Sequence, residues 1–234
     1  MPKQSARTRR LCYSFYMDAS GAFATLIDFL SSIVAIIFAV SFHEFSHAWM
    51  ANKLGDPTGR IYGRLTLNPL KHFDLVGTLS LIFFGIGWGK PVPFNPENLR
   101  NPKRDSALIA LAGPFSNLLT ALLCAIPLKY LSGSAFSGTP FYGLIGQLFM
   151  ISILLFALNV LPFPPFDGSK IIGIFVPRRL QHAYENFLRN GVKYVVIFIL
   201  FDVMVLGRVF HFSILQTIVA KMTTWIIALI SLGT

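Results

Sequence analysis

Four stretches of this chain, at roughly 24–50, 106–128, 141–163 and 212–231, are apolar for about the 20 residues that a helix needs to cross the hydrocarbon of a bilayer. Two more, at about 75–87 and 194–206, are apolar but short by the same arithmetic. No other feature limits the fold as strongly. Of the 234 residues, 54% are hydrophobic and 13% charged, and the mean hydropathy is +0.62, far from the composition of a soluble domain. The expected fold class is therefore an all-α polytopic membrane protein of about five to six membrane segments. The net charge of +10 lies between apolar segments, where Lys and Arg set orientation. No stacking or groove-reading motif accompanies it, so no nucleic-acid partner is expected. Cys12 and Cys124 lack the spacing of a zinc knuckle or a disulfide framework.

Ionisable groups are costly at membrane depth and imply function there. The first apolar run ends in "SFHEFSH", residues 41–47. Residues four apart share a helix face, so His43 and His47 can present two imidazoles to one ion, and zinc suits such donors. Glu44 lies too far round the helix to ligate beside both, yet close enough to take a proton from an activated water, the general-base role of HExxH. A catalytic zinc needs a third protein ligand and an open position. Asp74, Asp105, Asp167, Asp202, His72 and His211 are the candidates in or beside apolar segments. Asp167 stands out because Pro162, Pro164 and Pro165 break the helix before it, and broken backbone at membrane depth belongs beside a cavity.

With "NVLPFPPFDG" at 159–168 and "ALAGPFSN" at 110–117, the chain resembles the site-2 proteases, intramembrane zinc metalloproteases of the M50 type. The likeness runs from about Phe23 to Val176 and is greatest to compact bacterial members without PDZ or CBS domains. It implies one Zn2+ per chain held by His43, His47 and Asp167, with Glu44 as catalytic base and Asn159 as a transition-state stabiliser. It also implies a re-entrant β-like loop around 75–95, whose edge could hold an unwound substrate by strand addition. Expected partners are the lipid bilayer and transmembrane protein or peptide substrates, cleaved in regulated intramembrane proteolysis or membrane-peptide clearance. A metal transporter and a catalytically inactive membrane scaffold are the alternatives. Gly113, Pro114 and Asn117 are read first as a close helix crossing.

A shared ion would place His43, His47 and Asp167 at one depth, so the helices carrying them run parallel and residues 52–105 leave and return on one side. Thirteen Lys and Arg residues between Lys53 and Lys193 then face that side, against Lys129 opposite. The active site is expected toward the cytoplasm of a multi-pass cell-membrane protein. Lys3, Arg7, Arg9 and Arg10 oppose this bias, and the expectation is that the native chain starts at Met17. The expected organisation is an N-terminal extension (1–22), a metalloprotease core (23–176) and C-terminal transmembrane helices (177–234).

Overall fold

The computed structural model describes residues 3–77 and 89–232, with side chains from Leu26 onward except at 203, 231 and 232. Helices account for nearly all of its regular structure. In chain order they are α1 (Lys3–Leu54), the single turn α2 (Thr58–Ile61), α3 (Pro102–Tyr130), α4 (Pro140–Asn159), the short α5 (Gly168–Ile171), α6 (Gln181–Phe201) and α7 (Ile214–Leu232). Among the described residues, four helical stretches are long and apolar enough to cross a membrane: Leu26–Leu54, Pro102–Tyr130, Pro140–Asn159 and Arg178–Gly207, with a shorter apolar helix at Ile214–Ile230. The chain is an all-α polytopic membrane protein. Residues 78–88, the body of the segment expected to be re-entrant, lie outside the described residues. Its flanks meet: Phe73 and Gly89 form an antiparallel bridge, and Lys90 N–H donates to His72 O at 2.8 Å.

Helices α1, α3 and α4 pack on one another around the protein's centre. Their meeting faces are made of small residues. On α1, Ala35, Ala39, His43, His47 and Ala51 recur every fourth position and are all buried, one face of a helix by its period. Ala110, Gly113, Asn117 and Ala121 answer them on α3. Large apolar side chains such as Phe29, Phe38, Phe115, Leu123 and Phe141 point outward. This is the arrangement for a lipid-surrounded bundle, where close backbone packing rather than water exclusion joins helices.

The helix boundaries follow from capping and proline chemistry. Asn101 Oδ1 accepts Arg104 N–H at 3.2 Å while Asp105 Oδ2 accepts Asn101 N–H at 2.9 Å, a reciprocal cap ahead of Pro102. Thr139 caps α4 through Tyr142 N–H at 3.3 Å, again with a proline at the first position. The run Pro162–Pro165 stops α4, since proline lacks the donor that a continuing helix needs. Residues 202–207 form a π-helical turn that aims the buried Asp202 carboxylate at the start of α7. It accepts Ser213 Oγ–H at 2.5 Å, Ile214 N–H at 2.7 Å and Leu215 N–H at 3.2 Å, satisfying donors that a helix start leaves unpaired. Asp202 is therefore a cap delivered from another element.

Candidate metal centre

The C-terminal part of α1 carries His43 and His47 on the buried face described above. Opposite them, the chain leaves α4, turns through Pro162–Pro165 and presents Asp167 at the start of α5. Asp167 occupies the cap position of α5, yet its side chain makes no capping bond. The carboxylate instead faces the histidines. His43 Nε2 and His47 Nε2 stand 3.0 Å apart, and each lies 3.1 Å from Asp167 Oδ2. All three residues are less than 9% exposed. Among the described residues, this is the only group of three or more His, Cys, Asp or Glu with metal-binding separation.

The donor set fits zinc. Ligand atoms about 2.0–2.1 Å from a tetrahedral ion lie about 3.3–3.4 Å from one another, so separations of 3.0 and 3.1 Å need only a small outward adjustment. Both imidazoles are also held from behind. His47 Nδ1–H donates to Ile109 O at 2.7 Å, which leaves Nε2 as the bare nitrogen that a metal requires. His43 Nδ1 lies 3.0 Å from the Asn117 amide nitrogen. A metal on His43 Nε2 requires a proton on Nδ1, and that proton needs an acceptor. Asn117 Oδ1, buried and otherwise without a partner, becomes that acceptor when the amide turns over. Asn117 thus stands where it would orient a metal-bound His43, a role beyond the helix crossing that its spacing suggests.

Two glycines make the approach possible. A Cβ on Gly113 would stand 2.6 Å from His43 Nε2 and collide with His47 Nε2, so α3 reaches the histidines only without a side chain there. A Cβ on Gly168 would run into the carbonyl oxygens of Val160 and Leu161. The DG pair is therefore a packing demand as well as a ligand position. Lys170 Nζ, 3.4 Å from Asp167 Oδ1, occupies the carboxylate oxygen that faces away from the histidines.

Glu44 follows His43 on α1 and is turned toward Gly89: a Cβ on Gly89 would lie 3.9 Å from Glu44 Oε1. Asn159 is not in the convergent group. Its amide donates to Leu155 O at 3.0 Å, using one of two Nδ2 hydrogens. The remaining sequence candidates have other duties. Asp105 and Asp202 cap helices, Asp74 accepts Gly77 N–H at 2.8 Å, and His211 sits in a turn at φ 52°. His72 is fully buried and pairs with Thr66 O at 2.7 Å.

A helical bundle of membrane-spanning length, with two histidines and an aspartate converging inside it and a glutamate between the histidines, defines a membrane protein built around a metal-dependent hydrolytic site. The chain is 34% identical over 176 residues, 71% of its own length and 79% of the relative's, to YwhC of Bacillus subtilis (strain 168), provisionally named a zinc metalloprotease. Rip2 of Mycolicibacterium smegmatis and MJ0611 of Methanocaldococcus jannaschii carry the same provisional name. They are each 28% identical, over 74% and 63% of this chain and 67% and 72% of their own lengths. The chain belongs to the zinc metalloprotease family that these relatives represent. No family model and no solved structure matches it.

Proposed function

We propose that the chain is an intramembrane zinc metalloendopeptidase of the site-2 protease type, cutting peptide bonds within or near transmembrane segments. Regulated intramembrane proteolysis or clearance of membrane peptides would be its setting. The observation that carries this reading is the convergence of His43 Nε2, His47 Nε2 and Asp167 Oδ2 within 3.1 Å of one another, inside helices that are long enough to span a bilayer. The bias of Lys and Arg supports a site toward the cytoplasmic face of the cell membrane.

His43, His47 and Asp167 would hold one Zn2+ per chain, which when bound supplies Lewis acidity to a water and to the scissile carbonyl. Glu44 accepts the proton of the attacking water as the new C–O bond forms, and returns it to the amine nitrogen as the C–N bond breaks. The second Nδ2 hydrogen of Asn159 is the proposed donor to the developing oxyanion. Ile109 O keeps His47 in the tautomer with a free Nε2, and Asn117 Oδ1, once its amide turns over toward His43 Nδ1, would do the same for His43. A transmembrane substrate must unwind before its amides are exposed, so residues of weak helix propensity are expected near the cut.

The test is cleavage of a panel of single-span model substrates in liposomes by wild type, by Glu44→Gln and by chelated enzyme. Loss of about 10²–10⁴-fold in the variant is expected for a missing general base, with equal silence after chelation. Cleavage surviving Glu44→Gln would overturn the mechanism. A zinc-loaded wild type that cuts nothing across the panel would favour the scaffold, and several exchangeable ions coupled to flux would favour a transporter.

A further inference from the structure

Arg64 is buried to 4% exposure, although proximity to the membrane would invite an arginine to snorkel outward. Its backbone is fixed. Gly63 N–H bonds Arg60 O at 2.9 Å and Arg64 N–H bonds Gly59 O at 2.8 Å, with Gly63 at φ 65°, the two-bond closure of a Schellman turn after α2. From that anchor the side chain reaches inward. Nη2 donates to Lys90 O at 2.5 Å and to Pro91 O at 2.8 Å. Nη1 is buried with no acceptor. Packing alone would be better served by an apolar side chain of similar volume, because a buried guanidinium with an idle nitrogen is costly.

The gripped segment runs beside the metal centre. A Cβ on Gly89 would lie 3.6 Å from Val40 Cγ1 and 3.9 Å from Glu44 Oε1, and one on Gly59 would lie 3.3 Å from Val92 Cγ1 and 3.4 Å from Ala48 Cβ. Val40, Glu44 and Ala48 are four residues apart, so residues 89–92 follow the face of α1 next to the histidine face. Among the described residues, the segment is held at its start by the Phe73–Gly89 bridge, of which Lys90 N–H on His72 O is a part, and further along by Arg64 on the Lys90 and Pro91 carbonyls.

We propose that Arg64 is a positioning residue for peptide hydrolysis: by holding the Lys90 and Pro91 carbonyls it lays residues 89–92 along the Glu44 face of α1, fixing the carboxylate and the wall beside it. The inference rests on the proposed protease function, because it assigns Arg64 a part in that reaction. A residue acting this way serves the chemical step more than ground-state binding, so its loss falls on kcat. Lysine keeps the charge but is a point donor without a planar fork.

The experiment compares wild type, Arg64→Lys and Arg64→Gln in three measurements. These are kcat and KM on a single-span model substrate, zinc per chain, and oxidative cross-linking between Val40→Cys and Gly89→Cys in a Cys12→Ser, Cys124→Ser background. Arg64→Gln should lower kcat about 10–100-fold with KM within about threefold, Arg64→Lys should recover part of the loss, and zinc should stay at one per chain. Cross-linking should fall in parallel with kcat. Unchanged kcat, unchanged cross-linking, a loss carried by KM alone, or zinc lost together with activity would each overturn the proposal. Failure of the protease reading would appear instead as a wild type no more active than Glu44→Gln, and the cross-linking would still report on the clamp.

Discussion

Gly113 carries no side chain because His43 Nε2 would lie 2.6 Å from its Cβ. Gly113→Ala must push α3 away from α1 or rotate both imidazoles off the site. Overpacking of this kind costs about 1–3 kcal/mol, and the expected result is zinc well below one per chain, measured by metal analysis of the purified protein. Full zinc occupancy with an unshifted melting temperature would show that the helices separate freely. Asn117 is the gentler probe. Asn117→Ala removes the acceptor for His43 Nδ1–H and should weaken zinc binding about 10–100-fold, read by chelator competition, whereas Asn117→Asp keeps an acceptor and should bind more tightly than the alanine variant.

Between elements, Asp56 performs a task that its neighbours in sequence do not suggest. Fully buried after the end of α1, it accepts Thr58 Oγ1–H at 2.5 Å, Thr58 N–H at 3.1 Å, Asn98 Nδ2–H at 2.7 Å and Asn95 N–H at 2.8 Å. It thereby ties the α1–α2 turn to the approach to α3. Burial pushes its carboxyl up, but these donors outweigh burial and hold it below the usual carboxylate range. A depressed acid stabilises the fold above its unfolded pKa of about 3.9 and loses that stabilisation as pH falls through the folded value. Thermal melting of wild type should therefore decline as pH drops below about 4, and Asp56→Asn should flatten that part of the profile; an unchanged slope would remove Asp56 from the account. The helices themselves were legible in sequence because apolar runs of spanning length have few other uses. The convergence of His43, His47 and Asp167 was legible because HExxH places two histidines on one face by helical period and Pro162–Pro165 marked the break that frees Asp167. The distant ties of Asp56, Asn117 and Arg64 were not, since those partners lie 39, 74 and 26 residues away and the local Asp56–Thr58 turn does not point to them. The re-entrant loop was inferred from residues 75–95, of which 78–88 lie outside the described part.

At the scale of the whole molecule, the convergence of Asp167 with His43 and His47 places the C-terminal end of α1 and the C-terminal end of α4 at one level. With α3 running between them in chain order, the turn at 131–139 belongs on the opposite side from the segments around 52–105 and 168–180. Lys129 stands alone near that turn, while Lys and Arg crowd the other side. Arg64, counted in that bias from sequence, is buried and engaged by backbone carbonyls, so it contributes to the site rather than to the charge facing solvent. The proposed cytoplasmic orientation rests on the remaining asymmetry prevailing over Lys3, Arg7, Arg9 and Arg10 ahead of the first span, because positive charge near span ends is retained in the cytoplasm. Ser137 and Arg178 are both exposed and lie on opposite sides in this arrangement. In intact cells, a membrane-impermeant thiol reagent should label Ser137→Cys and leave Arg178→Cys unlabelled until the membrane is opened. The reverse pattern would place the metal centre toward the outside, and labelling of both in sealed cells would break the parallel arrangement of α1 and α4 that the three ligands require.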